Sequence, residues 1–387
     1  MEEEKKDVNI GVILAIIMAL IIIISILYFT GCKPPHPNPP EKPTPTPTPQ
    51  KTEVSWQDGQ LCINGKPERL ILWGDYWILN RYWTDLEIHE YCAYFAKETP
   101  FNGFRVFPGY STFSKDNVQS VGLQYQTIFP KLPDGKYDVY NVNQEWLVYL
   151  DKWTRIAGEH GLVVMYVLYE HCGFKSPSWS FSSMNPDNSN ARWEGYDGSA
   201  YWKGYHSCDY TSTDKFDELC QEWEMQDRNV AQAVCRNRNV IFELSNEGVA
   251  FHYDSYRYFM RKQIEWITDQ YAKNGYSAPV FTDSTDGFSC RDMVQIQWSH
   301  EHLADTPYNM STDGDRYYKH TRDDLVNRYQ YIKNTGKHFE FHLSFIAEQV
   351  LPGQPVHSFL WGTRPAKIQD YRNVLKPYFD EVSTYVK

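Results

Sequence analysis

No CxxC pair and no block of Lys or Arg occurs anywhere in this chain. The first absence leaves no zinc-ligand spacing to build on. The second, with 38 basic against 49 acidic side chains and a net charge of −11, excludes a nucleic-acid backbone as the main partner. No Gly-rich turn follows the first apolar run, Leu70–Trp73, which argues against an open doubly wound sheet. No second linker interrupts the chain after Glu53, so the remainder reads as one domain. With 42% apolar and 16% aromatic residues, disorder is excluded as well. Eight cysteines are present. Setting Cys32 apart leaves an odd number, so at least one thiol is unpaired, and Cys92 and Cys220 fall on apolar helix faces as core thiols.

The N-terminus does carry a long hydrophobic run. Ile10 to Phe29 is an uncharged stretch of about 20 residues, enough to span a bilayer. It closes on Phe29-Thr30-Gly31-Cys32, which resembles a bacterial lipobox. The expectation is therefore a membrane-anchored, extracytoplasmic protein, held by an uncleaved transmembrane segment or by a lipidated Cys32, with residues 1–32 as that segment. Residues 33–51 form a Pro/Thr-rich linker holding nine of the 22 prolines. As extended polyproline II it would hold a domain roughly 50 Å off the membrane.

From residue 52 to 387 the pattern is one of short apolar runs alternating with amphipathic helices. Trp56–Pro67 reads as a hairpin with Asp58-Gly59 and Asn64-Gly65 as its turns. The runs that follow are Leu70–Trp73, Gly103–Phe107, Leu162–Leu168, Val240–Ser245, Pro279–Thr282, Met293–Trp298, His338–Phe341 and His357–Trp361. Continuous apolar strands belong to parallel sheets buried on both faces. Between them, Thr84-Asp85-Leu86-Glu87 is a capping box ahead of the stripe Ile88, Tyr91, Cys92, Phe95. Further stripes run through Phe216, Leu219, Cys220, Trp223, Val230 and Val234, and through Tyr256, Phe259, Met260, Ile264, Ile267 and Tyr271. Eight β units with intervening helices predict an α/β fold, a single (β/α)₈ TIM barrel, whose functional groups sit at the C-terminal ends of the strands.

Val240-Ile241-Phe242-Glu243-Leu244-Ser245-Asn246-Glu247-Gly248 places Asn-Glu where the fourth strand meets its loop. Here the domain resembles the clan A glycoside hydrolases, most closely family five. Asn64-Gly65-Lys66 resembles the family's leader, Phe104-Arg105-Val106 its second-strand arginine motif, and Asn246-Glu247 its fourth-strand pair. The resemblance implies a retaining glycoside hydrolase acting on β-linked polysaccharide or oligosaccharide. In it Glu247 is the acid/base and Asn246 holds a sugar hydroxyl. His300 stands for the sixth-strand His, and Trp361 for the eighth-strand Trp under the cleaved sugar. The chemistry itself asks for one protonated carboxyl and one ionised carboxylate flanking the bond. Arg105 beside the second would keep it ionised. His171, near the end of the third strand, is a substrate-contact candidate. Glu243, four residues before Glu247 and on the same strand face, reads as an internal ion-pair partner.

For the nucleophile two residues compete. Glu348, in Phe345-Ile346-Ala347-Glu348, has the more family-like context. Glu340 is preferred on topology: if His338–Phe341 is the seventh strand and His357 opens the eighth, only Glu340 leaves room for a helix between them. The long segment Phe174–Asp214, rich in Trp and Tyr, reads as a cleft loop. The reading calls for no metal or cofactor, no nucleic acid, and a monomer. Two alternatives stand beside it. One is a non-catalytic surface protein that binds glycans. The other is a metal-dependent barrel hydrolase built on His171, Asp283, His300 and His302, a class that needs His-x-His where this chain has Trp73-Gly74-Asp75.

Overall fold

The computed structural model describes residues 52–74, 79, 83–106, 128–168, 183, 185–191, 214–245, 253–284, 293–299, 309–311, 334, 338–342, 380 and 383. All fall within the compact unit Pro49–Lys387. The run Ile10–Phe29, Cys32 and the Pro/Thr-rich stretch lie outside them, and among the described residues no helix is long and apolar enough to cross a membrane.

The chain opens with a three-stranded antiparallel sheet of β1 (Val54–Gln57), β2 (Gln60–Ile63) and β3 (Lys66–Pro67). Its turns are the two predicted dipeptides. Asp58, Gly59, Asn64 and Gly65 all have positive φ, at 50°, 76°, 53° and 74°, the primed-turn geometry that follows strand twist.

Eight parallel strands then close a barrel: β4 (Ile71–Gly74), β5 (Gly103–Val106), β6 (Val163–Val167), β7 (Val240–Glu243), β8 (Val280–Ser284), β9 (Ile296–Ser299), β10 (Asn309–Ser311) and β11 (Phe339–His342). Seven of the expected runs are strands, but the count at the end differs. Asn309–Ser311 is the seventh barrel strand. Phe339–His342 is the eighth, and it closes the barrel directly on β4, pairing Phe339 with Ile71 and His342 with Gly74. His357–Trp361 lies outside the described residues. Asn-Met-Ser offers a single apolar residue, so hydrophobic pattern cannot flag it. Parallel ladders are made by backbone groups, and Asn309–Ser311 pairs with Gln297–Ser299 regardless of its side chains.

Strand alternation separates two cores. Ile71, Trp73, Phe104, Val106, Val164, Tyr166, Val240, Phe242 and Phe281 face outward into the larger one. They meet the helices α1 (Asp85–Glu98), α2 (Gln144–Glu159), α3 (Asp214–Val234) and α4 (Tyr253–Lys273) there. Thr84 caps α1 as expected, its Oγ1 accepting from Glu87 N at 3.3 Å while Glu87 Oε2 accepts from Thr84 N at 2.8 Å. Leu70, Leu72, Val163, Met165, Ile241, Val280 and Ile296 face inward and form the second core with Leu61 and Ile63 of β2. The N-terminal sheet therefore plugs the end of the barrel where strands begin. Val54 N donates to Arg238 O at 2.8 Å, and Thr52 Oγ1 to Gly158 O at 2.8 Å, both acceptors lying upstream of strands.

Candidate active site

The same alternation turns Arg105, Glu243 and Glu340 into the barrel. Phe104 and Phe242 face out, so Arg105 and Glu243 face in; Glu340 pairs with inward Leu72. They sit on the second, fourth and eighth barrel strands, the alternate-strand arrangement by which such barrels stack interior side chains in layers. The stagger brings them together. Arg105 pairs with Gly74 and Met165, while Glu243 pairs with Val167 and Thr282, two rungs further along.

Arg105 Nε donates to Glu243 Oε2 at 2.6 Å and Nη2 donates to Glu243 Oε1 at 2.6 Å, a bidentate pair. Its third nitrogen, Nη1, donates to Glu340 Oε1 and Oε2 at 3.4 and 3.3 Å. All three side chains are wholly out of water. Fork geometry of this kind suits Arg and not Lys. Two buried carboxylates on one guanidinium carry desolvation costs that only hydrogen bonds and charge pairing offset. Sequence reasoning set Glu243 in an internal ion pair; the pair is with Arg105, and Glu243 holds a shorter contact to it than Glu340 does.

The end of β7 is braced from three sides. Leu244 N donates to Thr282 O at 2.9 Å, and Leu168 N to Glu243 O at 2.9 Å. From α4, the wholly buried Gln263 donates through Nε2 to Leu244 O at 3.4 Å. Gln263 was missed by sequence reasoning, because an amide inside an apolar helix face resembles a surface position. Leu244 and Ser245 are buried, and Asn246-Glu247 follow them directly in sequence. Asn246, Glu247, His171, His300, Glu348 and Trp361 themselves lie outside the described residues. Among the described residues no group of three or more His, Cys, Asp or Glu could hold a metal ion.

Two connections on the C-terminal side of the barrel are knitted to each other. Segment 128–143 follows β5 and segment 185–191 follows β6. Tyr137 N donates to Asn188 O at 2.9 Å and Asn190 N to Tyr137 O at 3.0 Å. Asp138 is the junction. Burial works against its ionisation, but hydrogen bonds from the Asn190 and Asn141 side chains and the Tyr140 N–H outweigh it and hold the carboxyl below its usual range. Part of the long aromatic loop is thus fixed to its neighbour, while Trp179, Trp193, Tyr196, Tyr201, Trp202 and Tyr205 lie outside the described residues.

No protein-family model matches the chain, and no curated protein is similar to it. Solved structures are. A glycoside hydrolase family 5 mannosidase from Rhizomucor miehei, in complex with mannosyl-fructose, aligns with a TM-score of 0.50 at 10% identity, covering 87% of this chain and 99% of that one. A glycoside hydrolase family 5 protein from Bacteroides vulgatus aligns at 0.49 and 12% identity, over 86% of this chain and 70% of that one. A beta-1,4-mannanase from the sea hare Aplysia kurodai aligns at 0.46 and 10% identity, over 81% and 100%. The class of protein is a (β/α)₈ barrel with a charged layer in its interior. The Rhizomucor enzyme shares this barrel fold.

Proposed function

We propose that the chain is a retaining glycoside hydrolase acting on β-linked glycans, with Glu247 as acid/base and Glu340 as nucleophile. The observation that carries the reading is Arg105, whose Nη1 lies 3.3 Å from Glu340 while its other edge grips Glu243 at the end of β7. A guanidinium beside a carboxylate favours the ionised form a nucleophile needs. Glu247 stands four residues beyond Glu243 in sequence, and barrel enzymes work at the rim on which their strands end. In the same proposal Asn246, His171, His300 and Trp361 contact the sugars, and Arg105 orients the nucleophile. Glu340 takes this role from the eighth strand and not the seventh, so its support is the Arg105 contact and no longer the closure argument. The proposal also places the barrel, residues 52–387, outside the cytoplasm as a tethered monomer, carried on the 33–51 spacer behind the anchor of residues 1–32.

The test has two parts. Incubated with β-1,4-linked glucan, mannan and glucomannan, the protein should release products whose first-formed anomer, read by NMR, matches the substrate's own. A fluorinated sugar donor that arrests the covalent intermediate, followed by peptide mapping, should label Glu340. Inverted product would reject the mechanism. Binding without turnover would favour the glycan-binding alternative, and label on Glu348 would move the nucleophile there.

A further inference from the structure

We infer that Glu243 is a positioning residue for this reaction: by holding Arg105 at two nitrogens, it fixes which edge of the guanidinium faces Glu340 and how much of its charge Glu340 receives. The inference rests on the function proposed above. Its ground is the asymmetry of the layer. Guanidinium offers its donors along three edges, and Glu243 occupies the Nε/Nη2 edge at 2.6 Å on both oxygens. Only Nη1 is presented to Glu340, at 3.3 and 3.4 Å. Charge-assisted hydrogen bonds strengthen as they shorten toward about 2.7 Å, so Glu243 takes the larger share of Arg105.

That division matters to a nucleophile. Glu340 must be ionised to attack, yet a carboxylate gripped bidentately in the ground state would have to give up that stabilisation as its charge moves to the sugar carbon. With the strong edge of Arg105 drawn onto Glu243, what Glu340 receives from Arg105 is the longer, weaker contact at Nη1. Glu243 is wholly buried and the last residue of β7, so it acts through Arg105 and not on the glycan. The ladder neighbours of the three residues are Leu72, Gly74, Met165, Val167 and Thr282, none charged. His338, the residue just ahead of Glu340's strand, is kept neutral by burial and then by the positive charge of Arg69.

The experiment is the pH profile of kcat/KM on a mixed β-1,4-glucomannan, for the full-length protein and its Glu243→Gln and Glu243→Asp variants. Removing the charge at 243 raises the share of Arg105 that Glu340 receives, so the acid limb of Glu243→Gln should move down by about one pH unit while kcat falls. Glu243→Asp keeps the charge but shortens the reach. Its acid limb should stay at the wild-type pH, with kcat reduced and KM little changed. A folded Glu243→Gln whose acid limb does not move, losing activity only as far as it loses folded protein, overturns the inference. If Glu243→Gln does not fold, Glu243→Asp decides, and a wild-type kcat there overturns it. Peptide mapping of the trapped intermediate separates the two levels. Label on Glu340 with an unmoved limb sinks this inference alone, whereas label elsewhere removes the proposed nucleophile and this inference with it.

Discussion

His338 shows how one side chain closes a barrel. Its Nδ1 accepts the Leu70 N–H at 2.9 Å, joining the start of the eighth strand to the residue that precedes the first. An imidazole can accept there only while that nitrogen is unprotonated. Burial, and after it the Arg69 charge, pushes its pKa down to about 4 from the ordinary 6.5. The linkage follows from that direction. Below pH 6.5 the unfolded chain takes up a proton that the folded chain refuses until about pH 4, so stability is whole above 6.5 and falls as pH drops through this window. At one pKa unit per 1.36 kcal/mol the full loss is about 3 kcal/mol. His338→Asn retains an acceptor near the Nδ1 position and cannot titrate. Urea unfolding at pH 7 and pH 4.5 should show the variant losing about 2 to 3 kcal/mol less than wild type between the two. Equal losses would place the acid sensitivity elsewhere.

The elements differ in how plainly their residues announce them. The hairpin turns, the Thr84 capping box and the stripes through Ile88, Phe259 and Ile267 each state a backbone geometry or a buried face in a few letters, and the fold repeats them. Glu243 was legible as an ion-pair partner because strand alternation fixes its face. Its bidentate hold on Arg105 was not, since the stagger between strands is set by ladders that sequence does not spell. β10 was not legible either: three residues with one apolar side chain carry no periodicity, and missing it displaced Glu340 by one strand. Gly103 marks another constraint invisible to hydrophobic pattern. A Cβ there would stand 2.5 Å from Val163 O and 2.7 Å from Leu72 Cδ2, at the rung where β4, β5 and β6 run side by side. The carbonyl belongs to the neighbouring strand's backbone and cannot retreat without opening the ladder. Gly103→Ala should therefore cost about 1 to 3 kcal/mol, as overpacking does. Thermal unfolding checks this, and an unchanged midpoint would mean the strands separate freely.

At the scale of the whole molecule, the barrel is filled from below by a sheet that is not one of its eight strands. Leu61 and Ile63 are 2% and 5% exposed and share a core with Leu70, Leu72, Val163 and Ile241, with Val54 and Trp56 packed against it. Burying a Leu or Ile side chain contributes about 1.5 to 3 kcal/mol. The two together therefore supply a large part of the 5 to 15 kcal/mol by which a typical domain is stable. Hydrogen bonds reinforce the plug, from Val54 N to Arg238 O and from Thr52 Oγ1 to Gly158 O, as does the ion pair of Glu53 with Arg238. Among the described residues, the groups that hold the barrel together thus begin at Thr52, well ahead of β4. A chain beginning at Lys51 should unfold within a degree or two of the full-length protein. One beginning at Glu68 lacks the plug and exposes the inner core. It should fail to fold or melt at least 10 °C lower, given that a 1 kcal/mol loss moves the midpoint of a domain this large by roughly 2 to 4 °C. Calorimetry of the two truncations decides it: equal melting temperatures would show the sheet to be dispensable, and a large loss in the longer chain would move the boundary into the Pro/Thr-rich stretch.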